Sequence, residues 1–315
     1  MSAEAQAFLN FDIPEGPSLP SIADTHGWKL WASEQNKVIE QAFAGLQPPD
    51  GTVERQVIDA GGVATYSLRP MSVDPVNAPL HLDFHGGGFI LCGGDTSWQM
   101  VAQKASARPG VTWVPDYRTP PEYPYPLPLD DCLGTYRHAL KTRSPEQIVV
   151  CGASAGGNLA AAMLLRAKDE GLPMPAALVL QTPELDLTES GDTFQTNNGI
   201  DIMGPLMRQN LLYAQGHELS DPYLSPLFGN LRGLPPTLLQ SGTRDLFLSN
   251  TVRMHRRLLD SGVPVELHVF EAMPHGSFGG YSPEARELMT TVLDFEMRHL
   301  KIKSPGIEEP GVSQG

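Results

Sequence analysis

The chain has 315 residues, 41% of them hydrophobic and 18% charged, which is ample material for a large core. Its 22 basic against 36 acidic residues give a formal net charge of −14 at pH 7, which opposes nucleic-acid binding and polyanionic substrates. No apolar run approaches the ~18 residues of a membrane span, and no basic amphipathic segment suggests docking on an anionic lipid surface, so no membrane partner is expected.

Cys92, Cys132 and Cys151 are the only cysteines. The number is odd and no pair has zinc-ligand spacing, so neither a disulfide framework nor a metal site is expected. They read as packing thiols in a reducing compartment, the cytoplasm. Met1 to Phe8 carries Glu4 and no Lys or Arg, which does not fit a secretory signal.

In chain order, residues 1–49 place Trp28, Trp31 and Phe43 on helix-prone sequence. Strands are expected over 53–59 and 63–69, joined by Ala60-Gly61-Gly62 as an antiparallel hairpin at one edge. From Leu80 onward, strands at 80–84, 111–116, 148–151, 177–181, 237–241 and 265–270 alternate with helices near 96–107, 130–141, 155–170 and 250–261. That rhythm marks a parallel sheet with helices on both faces. Ser282-Pro283-Glu284 reads as N-cap, N1 and N2 of a last helix running to about Leu300. Residues 304–315 are polar with two prolines and read as a frayed tail.

Two segments break the rhythm. One is 1–49; the other is 186–226, about 40 residues between two strands. Insertions of that length in α/β folds usually carry function. Neither could be an independent domain, and together they could form a small helical cap over one end of the sheet. In the second, Met203, Leu206, Met207, Leu211 and Tyr213 recur at helical spacing and are expected to pack against the body.

Gly152-Ala153-Ser154-Ala155-Gly156 follows an apolar strand and opens an Ala-rich helix. This is the Gly-x-Ser-x-Gly pattern of a nucleophile on a sharp strand-to-helix turn. Small flanking residues let the strand and helix close on the serine, and the helix N-terminus favours negative charge developing beside it. His85-Gly86-Gly87-Gly88-Phe89 follows the strand at 80–84. Three glycines leave backbone N–H groups free to point at a ligand, which is what an oxyanion hole requires. An elbow serine also needs a base and an acid to orient that base, in the chain order serine, acid, histidine. His275 stands in a loop directly after the strand at 265–270, whereas His268 lies within that strand and His255 and His299 lie on helices. Asp245 follows the strand at 237–241; Glu271 is a rival acid, too close to His275 in sequence to orient it easily. Asp245 and His275 both fall at carboxyl ends of strands, where catalytic groups of parallel sheets gather.

The chain resembles the hormone-sensitive-lipase-like branch of the α/β-hydrolases, the bacterial family IV esterases. The segments that carry the resemblance run from about Leu80 to Leu300. They are His85–Phe89, Asp116-Tyr117-Arg118 with Pro121-Glu122, Pro126, Asp130-Asp131, Gly152–Gly157, Asp221-Pro222, Ser225-Pro226-Leu227 and the Asp245 and His275 loops. Ala153 departs from the Asp or Thr that many relatives carry before the serine. The resemblance implies an α/β-hydrolase fold with a mostly parallel eight-stranded sheet and a small helical cap. It also implies a cap segment at 1–49, a catalytic body at 50–303 with a cap insertion at about 186–226, and a tail at 304–315. In activity it implies a serine carboxylesterase: Ser154, Asp245 and His275 as triad, and the N–H groups of Gly87, Gly88 and Ala155 as oxyanion hole. His85 and Gly86 complete the glycine motif, and Arg118 with Glu122 braces the oxyanion loop. No cofactor or metal is expected, and the partner is a small ester or lactone, with a homodimer left open. Lactone or amide hydrolysis would use the same triad; a non-catalytic hormone receptor on this fold would lack the histidine that His275 supplies.

Overall fold

The computed structural model describes residues 1–10, 18–279 and 282–302; the tail expected at 304–315 lies outside them. The hairpin after the first helices forms as the sequence predicts. β1 (Val53–Asp59) and β2 (Ala64–Pro70) pair antiparallel, with Asp59 opposite Ala64. Gly61 and Gly62 take φ of +78° and +91° in the turn, and Asp59 Oδ1 accepts the Gly62 N–H at 2.6 Å.

Six further strands complete the sheet: β3 (Leu80–Phe84), β4 (Val111–Pro115), β5 (Ile148–Ala153), β6 (Ala177–Gln181), β7 (Thr237–Gly242) and β8 (Val265–Phe270). Their spatial order is β1-β2-β4-β3-β5-β6-β7-β8. β2 is antiparallel to both neighbours and every pair from β4 onward is parallel. β3, β4 and β7 are buried at every position, as strands covered by helices on both faces must be. β8, on the edge, is only partly covered.

The helices that flank the sheet are α3 (Asp95–Ala107), α4 (Leu127–Thr142), α5 (Ala155–Asp169), α8 (Leu248–Asp260) and α9 (Pro283–Leu300). Side chains alternate along β5 and so serve two cores. Ile148 and Val150 pack with α4, α5 and α8, while Val149 and Cys151 pack with α9. The start of α9 is set as its sequence dictates: Ser282 Oγ accepts the Ala285 N–H at 3.0 Å, with Pro283 at N1.

Beneath the sheet on the α9 side lies a charge cluster the sequence reading did not anticipate. Arg108, fully buried, donates to Asp83 at 2.9 Å and to Glu296 at 2.6 Å and 3.0 Å. Lys104 meets Asp83 at 2.8 Å and His81 Nε2 lies 3.3 Å from Glu296. The cluster fastens α3 and α9 to β3, the strand that leads into the glycine-rich loop. Burial opposes ionisation of Glu296, but Arg108 and His81 outweigh it and hold the carboxyl far below its ordinary range.

The N-terminal segment divides between two places. α1 (Ala3–Leu9) packs on α9, with Phe8 edge-on to Phe278 at 6.2 Å. α2 (Thr25–Ala44) instead buries Trp28 with Ile90 and Leu212, between the glycine-rich loop and the insertion. The insertion after β6 contains α6 (Thr193–Thr196) and α7 (Met207–Ala214). The helical stripe expected there does not exist as one face, because Met203 and Leu206 precede α7. They pack with Phe194, Leu246 and Phe247, while Tyr213 stacks on Phe89 at 4.1 Å and Leu211 faces outward.

Candidate active site

Four loops at the carboxyl ends of the strands meet over the sheet. The first is the turn from β5 to α5. Ser154 sits there at φ 56°, ψ −125°, a conformation strained for a side-chain-bearing residue and held by its surroundings. Its N–H donates to Gln181 O at 3.0 Å, and its carbonyl accepts from Asn158 N at 3.2 Å and Glu184 N at 3.3 Å. Tight packing explains the glycines: a Cβ on Gly156 would stand 2.0 Å from Phe84 O. Ala155, the first residue of α5, presents its N–H at the helix N-terminus beside Ser154.

The second loop is His85–Gly88 after β3. A Cβ on Gly86 would meet Ser154 Cβ at 3.2 Å, so this loop lies directly against the serine. Gly87 has φ +113°, and a Cβ there would press 2.4 Å from Leu91 O. His85 does not face outward. Its ring stacks on Tyr117 at 4.1 Å, and its Nδ1 meets Gly86 O at 2.8 Å. Burial lowers the His85 pKa, so the ring is neutral and Nδ1–H is the donor to that carbonyl. Tyr117 Oη donates to His85 O at 2.7 Å, and Asp116 Oδ1 accepts from Gly94 N at 2.8 Å. Tyr117 therefore braces the loop while Asp116 holds the chain where it enters α3, which corrects the expectation for Arg118 and Glu122. Arg118 is bound to Asp131 at 2.7 Å, and the exposed Glu122 pairs with Lys29 of α2.

The third element is a pair of loops after β7 and β8. Asp245 is fully buried; its Oδ1 lies 3.0 Å from His275 Nδ1 and accepts the Phe247 N–H at 3.1 Å, and its Oδ2 accepts Ser241 Oγ at 2.6 Å. The Asp245 carboxylate thus takes the imidazole Nδ1–H and leaves Nε2 as the free nitrogen. The loop of His275 is tied to the end of β6 through Gly276 N and Thr182 Oγ1 at 3.3 Å, next to the Gln181 carbonyl that holds Ser154. Burial opposes protonation of His275, but the hydrogen bond and charge of Asp245, joined by the charge of Asp201, outweigh it, so its pKa is raised. Glu271 is exposed in the turn after β8. His268 lies in β8, His255 in α8 and His299 in α9, away from these loops.

Two acids here escaped the sequence reading. Asp201, in the insertion, accepts the His275 backbone N–H at 2.8 Å. Glu184, behind Ser154, is fully buried; desolvation pushes its carboxyl up to about 8, with Asn210 Nδ2 donating to Oε1 at 2.8 Å. Asp201 lies in a turn of the insertion, away from the strand ends, so periodicity gives no sign of it. Asp201, Asp245 and His275 have ligand atoms within 4.8 Å of one another. Those of the two carboxylates already accept backbone, hydroxyl and imidazole donors, an arrangement built to hold loops.

Residues 81–279, well over half the chain, match a family described as having the alpha/beta hydrolase fold. The chain belongs to that family. It is 30% identical to an esterase of Acinetobacter venetianus over 79% of this chain and 84% of the relative. It is also 30% identical to an acetyl-hydrolase of Streptomyces hygroscopicus over 75% of this chain and 78% of the relative. Among solved structures, an esterase from the bacterial hormone-sensitive lipase family superposes with a TM-score of 0.81 at 26% identity. That match covers 95% of this chain and 99% of the other. The α/β-hydrolase chain is thus a carboxylic ester hydrolase of the hormone-sensitive-lipase-like group, and the resemblance read from its motifs holds. Among the described residues no helix is long and apolar enough to cross a membrane.

Proposed function

We propose that this carboxylesterase cleaves small esters with short-to-medium acyl chains, with Ser154 as nucleophile, His275 as base and Asp245 as orienting acid. The observation that carries the reading is convergence. The strained Ser154 turn and the His275 loop are both held by the end of β6, and Asp245 fixes the His275 tautomer from 3.0 Å. In this reading Ser154 Oγ attacks the ester carbonyl while His275 Nε2 takes its proton and then returns it to the leaving alcohol. Water, activated by the same imidazole, resolves the acyl-enzyme. The N–H groups of Gly87, Gly88 and Ala155 receive the oxyanion; the contact of the glycine loop with Ser154 supports that role.

α2 and the 186–226 insertion act as the cap, and the packing of Trp28 with Ile90 and Leu212 supports this. The body is 50–303, without a cofactor. The name of the Streptomyces acetyl-hydrolase supports a small acyl group. Cys92, Cys132 and Cys151 are buried free thiols, which suits the cytoplasm. The test is a panel of esters, lactones and amides with wild type and Ser154→Ala. Turnover should be greatest on short esters and fall on the order of 10³-fold or more in Ser154→Ala. Undiminished turnover in that variant would remove the assignment, and preference for lactones or amides would change the substrate class.

A further inference from the structure

We infer that Asp201 is a positioning residue for the reaction, a second carboxylate that locks the His275 and Asp245 loops together and stabilises the imidazolium. The inference rests on the reading of Ser154, His275 and Asp245 given above. Asp201 Oδ1 accepts the N–H of His275 at 2.8 Å and of Ile202 at 2.7 Å; Oδ2 accepts the N–H of Leu246 at 2.6 Å. One side chain from the insertion therefore binds the base itself and the residue next to the acid. Asn197, one turn earlier, adds a second hold on the same loop, donating Nδ2 to Asp245 O at 2.9 Å and to Thr243 O at 3.2 Å.

The donor pattern favours the charged form. Three N–H groups point at the two oxygens, which suits a carboxylate and leaves a protonated acid no acceptor among these contacts. Burial pushes the Asp201 carboxyl upward, partly offset by His275 and by these backbone donors. Asp201 and Asp245 are the charged groups that act on His275 among the described residues, and the Phe247 ring stands edge-on to the imidazole at 5.0 Å. When His275 takes the serine proton, the new positive charge faces two carboxylates.

The experiment compares Asp201→Asn and Asp201→Glu with wild type in kcat, KM and the pH profile of kcat/KM on a short p-nitrophenyl ester. Folding is checked by circular dichroism. Asp201→Asn keeps an oxygen for the His275 N–H but loses the charge. Its kcat should fall about 10–100-fold with KM changed little, and the acidic limb should move down by about 0.5–1 pH unit. Asp201→Glu keeps the charge, and its limb should stay within about 0.3 pH unit of wild type even as kcat falls. A folded Asp201→Asn with an unmoved limb, or a limb displaced equally in both variants, overturns the inference. Ser154→Ala and Asp245→Asn are measured alongside. If these retain wild-type turnover, the underlying triad reading fails; if they lose it while Asp201→Asn matches wild type, only the role of Asp201 fails.

Discussion

As the proposed base, His275 would work only as a neutral imidazole, and its surroundings favour the protonated one. Its pKa is raised above the ordinary value near 6.5 because Asp245 and Asp201 outweigh the cost of burial. Since the neutral form is the base, kcat/KM should decline as pH falls, with its midpoint above about 6.5. A profile flat to about pH 5 in protein that stays folded would argue against His275. The identity of the acid is tested at the same scale. Asp245→Asn should keep the backbone of its loop but favour the wrong imidazole tautomer, costing roughly 10²–10⁴ in kcat. Glu271→Gln, on an exposed turn, should cost far less, and the opposite ranking in steady-state kinetics would reassign the acid. Ser154, Asp245 and His275 could be proposed from the sequence because each follows a strand in the order serine, acid, histidine, and Asp245 does lie beside His275. The bracing role of Tyr117 could not be, although its segment was marked: spacing cannot tell which of Tyr117, Arg118 and Glu122 turns inward.

Elements are held by contacts that sequence periodicity does not encode, and the Arg108 cluster is the clearest case. β3 alternates Leu80, Leu82 and Phe84 with His81 and Asp83, the pattern of a half-exposed strand, yet His81 and Asp83 are fully or almost fully buried. A charge in such a strand demands a partner, and Arg108, just after α3, and Glu296 of α9 supply it. Removing one partner strands the others in a medium that cannot solvate them. Arg108→Met should therefore cost about 3–5 kcal/mol, read as a lowered urea midpoint at pH 7, more than a buried apolar swap of similar volume. Because the folded pKa values of Asp83 and Glu296 are depressed, their contribution is present at neutral pH and lost as pH falls below the ordinary carboxylate range. The difference between wild type and Arg108→Met should narrow toward acid pH. If the variant were as stable as wild type at pH 7, the cluster would not be what fastens α9. Strand positions themselves were readable, because most of the covered strands are short, largely apolar runs bounded by turn residues. The insertion was not: α7 is short, and Met203 and Leu206 reach the body from a loop rather than from its helical face.

At the level of the whole molecule, strand–helix alternation from Leu80 predicted the parallel sheet, and the Gly61-Gly62 turn predicted the edge hairpin. What alternation could not give is where the irregular segments settle, since that depends on apolar contacts across long separations. α2 joins α7 above the glycine loop, while α1 goes to α9. This arrangement bears on substrate size. A Cβ on Gly88 would stand 3.7 Å from Leu206 Cδ1 and 3.9 Å from Gln209 Cγ, so the insertion closes down directly over the glycine loop. Phe247, edge-on to His275 and packed with Phe194 and Leu246, fills the flank. An acyl chain beneath such a roof gains by burying methylenes only until it meets these side chains. Each buried methylene is worth at most about 0.8 kcal/mol, up to about fourfold in kcat/KM. The net charge of −14 further disfavours approach to an anionic lipid surface. Across a series of p-nitrophenyl esters, kcat/KM should rise and then level off or fall within roughly two to eight acyl carbons, on substrate in free solution. Leu206→Ala, which opens the roof, should shift the optimum toward longer chains. An optimum on long chains in wild type, with a jump in rate above the micelle threshold, would mean that the roof lifts at an interface and that the enzyme acts on lipid.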